Sequence, residues 1–299
     1  MEPKSIVAKA LAHHVAVPAF NVPNLNMVEP IIRAVVDENS VAMIQVARLE
    51  WEKMDAVSLE AVAEQYAKYA NTDHVMLHLD HVPVIDEDML RVDFTSIIRR
   101  AVSAGYQSVM VDGSRLPLLE NLEATAQAAA LAHAHHVPCE AELGAVMGHE
   151  GGEMPPYEEI FSKKMGFTKE EELTRFVAES GCDWVSVAVG NFHGAIAESN
   201  RFAKKPEAKL DVAHIGTLQR ACNIPLVLHG GSGIKKAYIL EGIRNGIAKI
   251  NVGSDLRRVY QIAFESAGSI IKAQDALYDA ARSYVKNELE LSNTRDILK

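Results

Sequence analysis

Short runs of apolar and β-branched residues alternate along the whole chain with longer stretches whose apolar residues recur at helical spacing. The short runs are Val15–Val22, Ala42–Ala47, Val75–Asp80, Ser108–Asp112, Pro138–Leu143, Trp184–Val189, Pro225–His229 and Ala248–Val252, each of strand length. Between them, Ile31, Ile32, Val35 and Val36 form one amphipathic set, and Leu59, Val62, Ala63 and Tyr66 another. Leu173, Phe176 and Val177, then Ile239, Leu240 and Ile243, follow the same rule. Gly105, Gly181 and Gly246 end such stretches, where a left-handed helix stop is expected. Strict alternation of strand and helix predicts a parallel sheet covered by helices, the α/β class, and about eight strands is the number that closes a (β/α)8 TIM barrel. An open doubly wound sheet fits less well, because the first strand runs into Asn21-Val22-Pro23-Asn24 rather than a glycine-rich dinucleotide turn. One extra C-terminal helix is predicted over Asp275–Leu291, and no domain boundary interrupts residues 1–299. Two connections, Gly144 to Thr168 and Phe192 to Asp211, are long enough to be functional loops.

In such a barrel, catalytic groups collect at the C-terminal ends of the strands and in the loops beyond them. Polar residues fall there repeatedly: Asp80 and His81, Asp112, Glu140 and Glu142, His193, His229, and Asn251. His81, His193 and His229 stand at three separate strand ends, and three imidazoles with an open fourth position make a catalytic metal site. Strand alternation, however, sends Asp80 and His81 to opposite faces unless the strand ends or twists between them. Gly230-Gly231-Ser232-Gly233 and Asn251-Val252-Gly253-Ser254 follow the last two strands, the usual phosphate corner of these barrels. Glu150, in the glycine-rich loop after strand five, is a candidate general base. Lys249 is either a Schiff-base lysine or half of a structural ion pair, and the ion pair is the favoured reading. His133, His135 and His136, at the opposite end of the barrel, read as structural, as do His13 and His14.

Composition narrows the partners. Thirty Lys and Arg against 40 Asp and Glu give a formal charge of −10, which disfavours nucleic acid and membrane surfaces but leaves room for a local anion pocket. Cys139, Cys182 and Cys222 are odd in number and scattered, so no disulfide framework is expected. No apolar run approaches the ~18 residues of a membrane span, and Met1–Ala10 lacks the apolar stretch of a secretory signal. A cytoplasmic location is the expectation.

Several of these strings together resemble the class II, zinc-dependent ketose-bisphosphate aldolases, a family that includes the fructose- and tagatose-bisphosphate enzymes. The resemblance runs from Val17-Pro18-Ala19-Phe20-Asn21 to Leu256-Arg257. It is carried by His78-Leu79-Asp80-His81, Glu140-Ala141-Glu142-Leu143-Gly144, Gly190-Asn191-Phe192-His193-Gly194, Leu228-His229-Gly230-Gly231-Ser232-Gly233 and Lys249-Ile250-Asn251-Val252. It implies one catalytic zinc on His81, His193 and His229, proton transfer by Asp80, and a loop base at Glu150. It implies phosphate binding by Gly194, by Gly230, Gly231 and Ser232, and by Asn251, Val252, Gly253 and Ser254. In some members Asp112 and Glu142 line a second, peripheral position for a divalent or monovalent ion. The implied chemistry is reversible cleavage of a sugar phosphate to dihydroxyacetone phosphate and an aldehyde, usually in a homodimer or homotetramer.

The departures concern the far end of the substrate. A family serine is replaced by Ala47, and bulky Arg48, Glu50 and Trp51 follow it. Ala195-Ile196-Ala197 lacks the tyrosine–lysine pair of many members, and a family arginine for the distal phosphate has no clear counterpart. Arg48 suits a distal phosphate, sulfonate or carboxylate, or is neutralised by Glu50. Two other readings stand beside the zinc aldolase. One is a metal-independent phosphate-binding barrel, a Schiff-base aldolase or an isomerase; the other is a non-catalytic sugar-phosphate-binding subunit.

Overall fold

A computed structural model describes residues 1–144, 156–191 and 208–299. Eight parallel strands close into a barrel in chain order: β1 (Val17–Asn21), β2 (Ala42–Ala47), β3 (Val75–Pro83), β4 (Ser108–Asp112), β5 (Cys139–Leu143), β6 (Trp184–Val187), β7 (Leu226–Leu228) and β8 (Ile247–Val252). β8 pairs with β1 from Val17↔Lys249 to Phe20↔Val252, which leaves no free sheet edge. All eight expected runs are strands; most shift by a residue or two at their ends, and β3 runs on to Pro83.

The four amphipathic sets fall on the helices Val28–Asp37, Leu59–Tyr69, Glu170–Ser180 and Lys236–Arg244, and local chemistry sets helix ends. Ser58 Oγ accepts the Ala61 N–H (3.1 Å) at the start of Leu59–Tyr69, and Asp93 and Asp211 cap Phe94–Ala104 and Val212–Cys222 in the same way. Gly105 and Gly181 are left-handed stops, at φ +92° and +73°. Gly246, at φ +128°, stands one residue beyond the cap Asn245. The C-terminal region also departs from expectation. Gly268 (φ +57°) ends the helix Ser254–Ala267, and Ser269 caps a new helix that begins at Ile270, ahead of the predicted Asp275, and leads into a π-helical segment at Tyr284–Glu288. That second helix lies on Val28–Asp37, held by Arg282 and Ser292, which both donate to the buried Glu38 carboxylate at 2.6 Å.

The pattern analysis missed the first helix, Pro3–Ala12. Its Ile6, Val7 and Ala10 pack with Val17, Met43, Met76, Trp184 and Val227. These strand residues lie toward the starts of their strands, so the helix forms an apolar floor at the end of the barrel opposite the Asp80–His81 end.

One irregularity positions the site. The β3–β4 register shifts between Leu79 and Val82, and His81 takes φ +28°, in the left-handed region. The extra residue lets consecutive side chains, Asp80 and His81, reach the same cavity, which removes the conflict with strand alternation.

Gly190, just beyond β6, combines φ +104° with a close approach. A Cβ there would lie 2.4 Å from the Lys209 carbonyl oxygen and 2.7 Å from the Phe161 ring. Gly190→Ala is expected to destabilise the protein by about 2–4 kcal/mol in chemical denaturation. Gly105→Ala, with a similar φ but nothing within 4 Å, costs about 1 kcal/mol. Equal losses would show that the close approach is unimportant.

Candidate active site

A cavity of about 430 Å3 opens at the C-terminal ends of the strands, and Asp80, His81, Asp112, Glu142 and His229 all line it. The His81 and His229 rings meet edge to face with centroids 4.5 Å apart. His81 Nδ1 is 3.1 Å from Asp112 Oδ2 and 3.7 Å from Glu142 Oε2. His229 Nδ1 is 3.3 Å from the same Glu142 oxygen. Ligand atoms of Asp80, His81 and His229 lie within 4.8 Å of one another, and so do those of His81, Asp112 and Glu142. Two of the three predicted imidazoles are therefore together. His193, Gly194 and Glu150 lie outside the described residues.

The charges fit a divalent cation. Three carboxylates surround two imidazoles in a largely buried space. Burial by itself lowers the His81 pKa, but Asp80, Asp112 and Glu142 reverse that and raise it to about 10. Burial pushes the Asp112 carboxyl up, yet His81 and Ser114 hold it well below the usual range. Glu142 is pushed up by burial and by Asp112 beside it. This surplus of acceptor atoms around neutralisable imidazoles is the donor set of an N/O metal site.

Asp80 is held on both oxygens. Asn21 Nδ2 donates to Oδ2 and Asn251 Nδ2 to Oδ1, each at 2.9 Å. The amide orientations follow from their other partners: Gln45 Nε2 donates to Asn21 Oδ1 (2.8 Å), and Lys249 Nζ, which can only donate, meets Asn251 Oδ1 (2.7 Å). Burial raises the Asp80 pKa, but His81 and Lys249 outweigh it, and the carboxyl sits below its ordinary value. Lys249 itself is fully buried, 2.9 Å from Glu140, and does not line the cavity, as the ion-pair reading expects.

The predicted phosphate corner shares this cavity: Gly230–Ser232 and Asn251–Ser254 are part of its wall. Gly230 turns the chain with φ +64°, and the helix Ser254–Ala267 starts at the wall, where its first N–H groups have no partner within the helix.

At the far end the structure corrects the sequence reading. Arg48 and Trp51 do not line the cavity. Arg48 turns to Asp86 (3.5 Å) and Glu52 (4.0 Å), not to Glu50, and Trp51 packs against the core. Of the three, Glu50 alone lines the cavity, accepting the Ala47 N–H (2.8 Å) and an Asn21 N–H (3.2 Å). Among the described residues, the guanidinium groups in the wall are those of Arg115 and Arg257, which the sequence reading passed over. Neither forms an ion pair among the described residues; their guanidinium groups rest on the sulfurs of Met89 and Met54. Their positions carried the signal. Arg257 lies in the first turn of the helix after β8, and Arg115 three residues beyond the end of β4.

Comparison with known proteins agrees with this geometry. The chain matches the family described as "Fructose-bisphosphate aldolase class-II" over residues 1–295. The fructose-bisphosphate aldolase of Helicobacter pylori is 32% identical over 313 aligned positions, covering 96% of this chain and 93% of that one. That of Giardia intestinalis is 28% identical over 275 positions, covering 85% and 78%. Among solved structures, the YdjI aldolase of Escherichia coli superposes with a TM-score of 0.77 at 26% identity, covering 97% of each chain.

Glu50 generates a pH prediction. Burial, aided by Asp80, raises its pKa to about 7 against 4.5 for the free group. The native state therefore binds more protons than the unfolded chain in that window, and stability falls as pH rises through it. Glu50→Gln is expected to be more stable than the parent at about pH 8, by on the order of 1–3 kcal/mol, with the gap closing near about pH 4. Parallel denaturation curves at the two pH values check this.

Proposed function

Since the chain belongs to the class-II fructose-bisphosphate aldolase family, we propose that it is a metal-dependent aldolase. It reversibly cleaves a ketose 1-phosphate or 1,6-bisphosphate to dihydroxyacetone phosphate and an aldehyde. The observation that carries this is Asp80: a carboxylate held by two amide donors, beside paired imidazoles, in the same cavity as a glycine-rich anion corner.

His81 and His229, joined by His193 from outside the described residues, would hold the ion, and zinc suits this donor set. When bound, the metal supplies Lewis-acid polarisation of the ketose carbonyl. The chain's own groups do the rest. Backbone N–H groups of Gly194, Gly230, Gly231, Ser232 and Asn251–Ser254 bind the phosphate and fix the register of the sugar. Asp80, below its ordinary pKa, takes the proton of the hydroxyl beyond the scissile bond. That oxygen becomes the aldehyde carbonyl as the carbon–carbon bond breaks, and the bond's electron pair moves toward the ketose carbonyl. Glu150 then returns a proton to the carbon left behind. Condensation runs these steps backwards.

Arg115 and Arg257 favour an aldehyde bearing an anionic end, whether phosphate, sulfonate or carboxylate. Asp112 and Glu142, whose oxygens lie close to His81, would line the position of a second ion. The reading takes residues 1–299 as one catalytic domain acting in the cytoplasm as a homodimer or homotetramer. Among the described residues no helix is long and apolar enough to cross a membrane.

Asp80→Asn is expected to lower kcat by about 10²- to 10⁴-fold with little change in KM. A chelator should abolish cleavage, and borohydride should trap no covalent adduct. Activity that survives chelation and traps with borohydride would return the Schiff-base reading. Arg115→Ala and Arg257→Ala are each expected to raise KM about 10- to 100-fold for an anionic aldehyde in condensation assays, and to leave glycolaldehyde unaffected. Equal effects on both aldehydes would remove the arginines from the distal site.

A further inference from the structure

Glu140 does not line the cavity and is cut off from water, yet four polar groups converge on it. Lys249 Nζ lies 2.9 Å away, Trp184 Nε1 donates to Oε2, His78 Nε2 is 3.5 Å from Oε2, and His229 Nε2 is 2.8 Å from Oε1. An ionised carboxylate only accepts, so His229 must present its N–H at Nε2. Nδ1 then carries the lone pair, and it lies 3.3 Å from Glu142 Oε2, on the cavity side where His229 groups with Asp80 and His81 as potential metal ligands. From the other side of the ion pair, Lys249 fixes the Asn251 amide, which donates to Asp80.

We propose that the buried Glu140–Lys249 pair is a positioning device for the active site. Glu140 selects the His229 tautomer that offers Nδ1 to the metal, and Lys249, through Asn251, aims a donor at Asp80. The inference rests on the metal reading given above. A buried ion pair is weak as a source of stability, and apolar replacement is often neutral, so its value here lies in orientation. Carboxylates that hold a ligating imidazole by its second nitrogen set tautomer and ring angle, and losing one weakens metal binding about 10- to 100-fold.

The test uses the full chain, stripped of metal and titrated with zinc against a chromophoric chelator, with cobalt(II) absorption as the spectroscopic signature. Glu140→Gln is expected to weaken zinc binding about 10- to 100-fold and to move the cobalt bands. The double variant E140Q/K249M leaves no unpaired buried charge, and it should melt close to the wild type while keeping the weakened zinc binding. With zinc saturating, its kcat should stay at least about tenfold down, because Asn251 is no longer held. Trp184→Phe removes another Glu140 partner without touching His229, and it should lower the melting temperature but leave zinc affinity within about twofold. Wild-type zinc affinity and cobalt bands in the double variant would overturn the inference and leave the metal reading standing. Equal weakening in Trp184→Phe would also overturn it, as a plain stability effect. A wild-type protein that takes up neither ion would overturn both readings.

Discussion

A carboxylate sealed inside a barrel must find its donors in the protein, because an uncompensated buried charge costs several kcal/mol at least. Glu140 is that group here. Lys249 balances it, and the imidazole and indole N–H groups of His229 and Trp184 fill its acceptor sites. The interior is tiered as a result. An apolar floor of Met43, Met76, Trp184 and Val227 rests on the N-terminal helix. Above it lies the ionic tier with His78 and Ser108, which hydrogen-bond to each other at 2.8 Å, and above that the cavity with Asp80, Glu142 and His229. Each tier limits the rotamers of the next, so side chains at the top are held by contacts two residues deeper on the same strands.

The second constraint is the register shift in β3. A regular strand presents alternate residues to the lumen, which would give the site either Asp80 or His81. One residue at positive φ delivers both, a carboxylate and an imidazole, from adjacent positions. Elsewhere the site obeys the period of two: Glu140 and Glu142 on β5, and Lys249 and Asn251 on β8, point inward on successive turns of the pleat.

The barrel was legible because its signals are local. Runs such as Ala42–Ala47 are apolar and of strand length, and the helix stops at Gly105 and Gly181 follow a backbone freedom that any sequence displays as glycine. The clustering of Asp80, His81, Glu142 and His229 could be anticipated because a barrel gathers its strand ends. What escaped depends on direction rather than position. Nothing in the string Arg48-Leu49-Glu50-Trp51 tells which side chain turns inward, since that is decided by Asp86, far along the chain. Arg115 and Arg257 were overlooked because exposed arginines on loops and helix starts are common, and only the closed barrel shows which of them border the opening. The floor helix Pro3–Ala12 was missed because its apolar positions Ile6, Val7 and Ala10 make a short stripe next to a region read only for targeting signals.

The tie between Arg48 and Asp86 has a consequence for how this enzyme could diversify. The segment after β3 folds on itself through the Ile85↔Arg91 bridge and the Asp86 carboxylate, which accepts the Asp88 and Leu90 N–H groups. It is fastened to the helix Arg48–Lys53 by Arg48–Asp86 and Lys53–Asp88. None of these contacts touches the imidazoles or Asp80. That rim is a module clipped on from outside, so insertions or exchanges within it can retune which aldehyde is admitted while the chemistry beneath is inherited unchanged.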